Sequence, residues 1–149
     1  MTRIDEHING AKAAFADGAI ERGLELLQEV ATESNLPAHY FLLKSALIQL
    51  STGDRFSLKD AEEALLRAVE IEPKNVTALT DLGFFYSRVM NRPESAERFF
   101  RQALDIMRKD YGDVLGGLLE ALCDQPQRAD ALFESELDQL RAYVSTRMS

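Results

Sequence analysis

The side chains best suited to chemistry in this 149-residue chain are few: two histidines, His7 and His39, and one cysteine, Cys123. Imidazole can move a proton near neutral pH and a thiolate can attack or ligate, but each needs partners at fixed spacing. Neither histidine belongs to an H-E-x-x-H helix, and no Cys/His cluster has the spacing of a zinc site. No G-x-S-x-G elbow, Gly-rich phosphate loop ending in Lys-Ser/Thr, or G-x-G-x-x-G turn occurs. Acidic neighbours such as Glu62 and Glu63 point from different helix faces, so they do not share a catalytic proton. Glu120 and Asp124 disfavour a thiolate at Cys123, which suits buried packing better. These residues predict no enzyme activity, no cofactor and no metal site.

The elements that would position any site are helical by composition. Leu (21) and Ala (18) dominate a sequence that is 46% apolar and 28% charged. Such unbranched or minimal side chains lose little freedom in a helix. The net charge is −8, which argues against nucleic acid or an anionic membrane as a partner. Residues 1–36 and 111–149 each sum to −4, while 76–110 sum to +1. The N-terminal residues Met1 to His7 lack the apolar core of a signal peptide, and a lone cysteine forms no internal disulfide. A cytoplasmic location is therefore expected.

Recurrence organises the helices. The clearest segment is Leu79-x2-Leu82-Gly83-x2-Tyr86 followed by Ala96-x3-Phe100-x2-Ala103. Steps of three and four place each set on one helix face. Asn91-Arg92-Pro93-Glu94 reads as the turn between, with Pro93 in the first turn of the second helix. Thirty-three positions on, Leu115-Gly116-x2-Leu119 and Ala129-x3-Phe133 repeat the pattern. Thirty-five positions back lies Ala61-x3-Leu65-x2-Ala68, preceded by Tyr40-x2-Leu43-x3-Leu47 and the cap-like Ser57-x-x-Asp60. Gly10-Ala11-x2-Ala14, Asp17-Gly18 and Gly23-x3-Leu27-x2-Val30 form a first, weaker unit. Gly83 with Ala96, and Gly116 with Ala129, are expected to bring helices close. Tyr86, Phe100 and Leu65 are expected to fill the space between hairpins, and Pro73 to redirect the chain between them.

These residues resemble the tetratricopeptide repeat (TPR), a 34-residue helical hairpin. The likeness is most specific over residues 61–104, and Leu79 stands where the family often has Trp. The resemblance implies an all-α, right-handed superhelix (solenoid) of about four antiparallel hairpins, at roughly 4–33, 37–72, 76–109 and 112–146, ending in a capping helix. It makes the chain a single domain, 1–149, that binds an extended or helical peptide on its concave face. Carried over by position, the partner-binding residues are Phe41, Ser45 and Ile48, then Thr77, Thr80, Phe84, Ser87 and Arg88, then Asp113 and Glu120. His7 and Ala11 are the corresponding candidates in the first hairpin. The carboxylate-clamp positions of TPR co-chaperones read His7, Ala11, Leu42, Thr77 and Asp81, with an acid where an arginine is needed.

The expected function is thus a non-enzymatic protein-interaction module, a scaffold or chaperone-like binder, for a polypeptide with an apolar anchor and some positive charge. Two other readings stay open. One is self-association, as a homo-oligomer or assembly subunit, because short arrays expose apolar end faces. The other is a dedicated small chaperone or immunity protein masking one secreted partner. Two more points await the structure. Phe84 lies off the stacking face formed by Leu79, Leu82, Phe85, Tyr86 and Val89, and a C-terminal helix around Leu132, Leu137, Leu140 and Tyr143 could cover it. Gly116 is explained by close packing, whereas Gly117 has no such account.

Overall fold

The computed structural model describes the backbone of residues 1–123 and 131–148 and the side chains of 1–118, 134–135, 137–143 and 145–146. Among the described residues every regular element is a helix, and there are no strands. Seven α-helices run in order: α1 (Arg3–Ala16), α2 (Ile20–Gln28), α3 (Ala38–Leu50), α4 (Leu58–Ile71), α5 (Val76–Phe84), α6 (Pro93–Cys123) and α7 (Ala131–Met148). A π-helical segment, Phe85–Val89, extends α5. No described helix is long and apolar enough to cross a membrane.

The helix ends follow local chemistry. Thr2 and Ser57 each close a capping box with Asp5 and Asp60, and the Asn75 side chain accepts from the amide of Ala78. Hydrogen bonds from the Ser57 amide and hydroxyl hold the Asp60 carboxyl below its ordinary range. Between elements, Gly18, Asn35 and Asn91 adopt positive φ, where glycine and asparagine meet the least steric cost. Pro93 opens α6 as expected, and α4 ends two residues before Pro73.

The chain divides into two compact units, Met1–Phe100 and Arg101–Ser149. In the first, α1 pairs with α2 and α3 with α4, and α3 and α5 also pack against the helices preceding them. Its core includes Ile8, Leu24, Leu27, Leu47, Leu65, Leu79, Leu82 and Phe85, all essentially inaccessible. Each such side chain contributes about 1.5–3 kcal/mol through burial. Two tyrosines tie successive hairpins: the Tyr40 hydroxyl donates to the Leu27 carbonyl at 3.0 Å, and that of Tyr86 to Glu62 Oε1 at 2.6 Å.

Small residues do admit close neighbours here. A Cβ on Gly23 would lie 3.1 Å from Leu47, and one on Gly83 only 2.7–2.9 Å from the Phe100 ring. Phe100 thus packs on Gly83 inside its own hairpin.

The expected boundary between a third hairpin at 76–109 and a fourth at 112–146 is not found. α6 continues for 31 residues, straight through 109–112. The sequence there, Lys109-Asp110-Tyr111-Gly112, contains no proline, and a single glycine costs a helix only about 1 kcal/mol. Gly116 therefore lies in the continuation of a second helix, where Gly83 lies in a first. No described atom stands within 4 Å of a Cβ built on Gly116. Ala129 lies outside the described residues, as do the side chains of Leu119, Cys123, Leu132 and Phe133.

In the second unit Leu137 is buried, and the Tyr111 and Tyr143 rings meet edge to face at 5.6 Å.

Candidate functional site

A cavity of about 310 Å³ opens between α3 and the α5–π segment, within the first unit. α3 contributes Leu42, Ser45, Ala46, Gln49 and Leu50, whose spacing of three and four sets them on one stripe. Asp81, Phe84, Phe85, Arg88 and Val89 form the opposite wall, and Leu65 of α4 also lines the cavity. The lining is mainly apolar, with one acid and one base.

Backbone geometry produces the far wall. The Met90 amide donates to the Phe85 carbonyl at 3.0 Å, five residues back, and the Arg92 amide to Tyr86 at 2.7 Å. This wider turn alters the angular step, so the residues after it leave the α-helical stripe. Val89 is the consequence. Expected on the stacking face, it is instead 38% exposed and lines the cavity, while Leu79, Leu82, Phe85 and Tyr86 stay buried as anticipated. Single π turns of this kind recur at functional sites.

Phe84 and Arg88, four residues apart, form the most distinctive pair. The Arg88 guanidinium lies 4.0 Å from the centroid of the Phe84 ring. That ring is 40% exposed and meets Phe100 edge to face at 5.1 Å. Stacking holds the arginine in place before any ligand arrives, which lowers the entropy lost on binding. Asp81 carries the opposite charge. Desolvation by its surroundings raises its carboxyl above the ordinary 3.8, so an arriving cation would relieve an unfavourable charge.

The other expected positions scatter. Ser45 lines the cavity but is fully buried, its hydroxyl accepting from Gln49 Nε2 at 3.1 Å. Ile48 is a core residue, so its assignment to the groove is corrected: it is buried beside Leu47 and does not line the cavity. Phe41 packs against the small core of Ala38, Ala68 and Ala78 and borders a different cavity, beside Pro37, Tyr40, Lys44 and Arg67. Thr77 is exposed, Thr80 and Ser87 are half-buried, and none of the three lines the cavity. The Ser87 hydroxyl donates to the Phe84 carbonyl.

Asp113 is exposed in the second unit, on the unbroken α6 rather than on a new first helix. The side chain of Glu120 lies outside the described residues. His7 contacts the Arg3 carbonyl at 2.7 Å and Glu29 at 3.1 Å within the first hairpin, and Ala11 is buried. Both are therefore engaged in packing α1 on α2.

Sequence reasoning missed Ala46, Gln49, Leu50 and Val89. The first three carry a legible signal, since they continue the stripe of Leu42 and Ser45 at helical spacing. Val89 carries none, because the π turn has no sequence signature here. Among the described residues, no group of three or more His, Cys, Asp or Glu comes together to hold a metal. No family model matches the chain, and no curated protein sequence matches it.

Proposed function

We propose that this protein is a non-enzymatic interaction module of TPR type, a right-handed superhelical array of hairpins that binds a partner polypeptide in the groove between α3 and α5. The observation that carries this reading is the half-open Phe84 ring with Arg88 stacked on it, set into an apolar cavity. Exposed aromatic and arginine side chains in desolvated pockets are the residue types that concentrate binding energy at interfaces. The ligand chemistry follows from the walls. Leu42, Ala46 and Val89 accept an apolar anchor, and Asp81 favours a positive charge beside it.

Selection from a random peptide library, followed by titration, tests the reading. Peptides enriched on the wild type should combine a large apolar residue with Lys or Arg. Phe84→Ala and Arg88→Glu should each weaken their binding while the helical content is retained. Equal affinity for all three proteins would remove the groove assignment.

A further inference from the structure

The second unit carries a feature that a peptide groove does not use. Along α6, Leu104, Met107, Tyr111, Val114 and Leu118 follow one another at steps of three, four, three and four. That is a heptad seam, the pattern by which one helix packs lengthwise on another. All five are open, between 45 and 68% exposed. Part of the seam borders a cavity of about 550 Å³, walled by Tyr143 and flanked by Arg108 and Asp110. The seam leaves about 500 Å² of apolar surface uncovered, at the upper end for a monomer.

We propose that this seam is a self-association surface, on which α6 of a second copy of this chain docks antiparallel. In the register below, Met107, Tyr111, Val114 and Leu118 of both copies pair and cover roughly 800 Å² before the flanks are counted, against the about 1,000 Å² that a specific interface needs. The same helix supplies the matching period, and an isologous contact requires a face complementary to itself. Charge then selects orientation and register. Residues 1–100 carry 11 basic and 16 acidic side chains, a net −5. Antiparallel pairing puts the two N-terminal ends of the seam, to which these residues are joined through Phe100, at opposite ends of the contact.

In an antiparallel pair each flank of the seam meets its own counterpart. With Met107 against the partner's Leu118 and Tyr111 against the partner's Val114, Arg108 meets the partner's Leu115 and Asp110 the partner's Gly117. One heptad step back, Arg108 would face the partner's Arg108 and Asp110 the partner's Asp110. The first register avoids both repulsions. It also gives Gly117, which has no described atom within 4 Å of a Cβ built on it, a reason to lack a side chain.

Sedimentation equilibrium of the full chain across micromolar concentrations tests this. The wild type should form dimers, and Val114→Glu and Met107→Lys should each weaken dimerisation by at least about tenfold, with unchanged helicity by circular dichroism. Gly117→Lys, placed against Asp110 of the partner subunit, should tighten the dimer relative to Gly117→Ala, and Gly117→Asp should loosen it. A wild type that stays monomeric overturns the proposal, as does a dimer indifferent to Val114→Glu and Met107→Lys. Equal dimer constants for Gly117→Lys and Gly117→Asp overturn the antiparallel register.

Discussion

The ring of Phe100 lies so close to Gly83 that a Cβ there would sit 2.7 Å from Phe100 Cε1. No real Cβ tolerates that distance, so any larger residue must displace the ring. The ring in turn supports Phe84, which it meets edge to face. One glycine therefore sets both the approach of α6 to α5 and the position of the principal groove aromatic.

Gly83→Ala should destabilise the fold by about 1–3 kcal/mol through overpacking, and Gly83→Leu by more. Chemical denaturation should show a lower midpoint at unchanged slope. Phe100→Leu should recover part of the loss, because the two positions are in contact and their effects do not add.

The Tyr86 hydroxyl is pushed up to about 12 from an ordinary 10.0, first by desolvation and then by its hydrogen bond and proximity to Glu62. A group whose value is raised on folding contributes fully below its unfolded value and loses that contribution as pH climbs through the folded one. Tyr86→Phe should cost about 1 kcal/mol at neutral pH, the worth of a hydrogen bond at a partly open site. The gap between wild type and variant should close between pH 10 and about 12. A gap constant across that range would contradict the assignment of the bond.

Asp81 works in the opposite sense. Its carboxyl is raised by desolvation alone, so ionisation at neutral pH opposes folding, and the penalty disappears as acid protonates it. Asp81→Asn should stabilise the protein at neutral pH, by about 0.5 kcal/mol since much of the side chain stays wet. The gain should vanish as pH falls through the carboxylate range. The same variant should weaken binding of a basic peptide, measured by titration calorimetry, so that one residue trades stability for recognition.

Much of the first unit was legible in the sequence for identifiable reasons. Ser57-x-x-Asp60 reads as a cap because its hydrogen bonds are local, and Asp17-Gly18 and Asn91-Arg92-Pro93 read as turns because backbone conformation is restricted there. Apolar residues at helical spacing, Leu79, Leu82 and Tyr86 among them, are buried as their pattern requires. The site was only half legible. Phe84 and Arg88 fall on the groove wall, whereas Ile48 and Phe41 belong to inward packing, because a residue one position off the stripe turns by about a quarter of a helix circumference.

Two failures have separate causes. Repetition of Leu-Gly at 115–116 resembled a new first helix, yet no stop signal interrupts α6 between 109 and 112, and continuation needs no further nucleation. Val89 moved because the bond from the Met90 amide reaches Phe85 rather than Tyr86. That choice between α and π turns depends on tertiary packing rather than on residue type.

The central claim, that the α3–α5 groove is the partner site, is tested most directly at Ala46. This small residue lines the cavity without belonging to the buried core, so Ala46→Arg fills the groove and leaves the hairpins intact. Titration of the strongest library-selected peptide into wild type and variant should show affinity falling by at least about tenfold, with the melting temperature unchanged. An unaltered affinity in a folded Ala46→Arg protein would contradict the account.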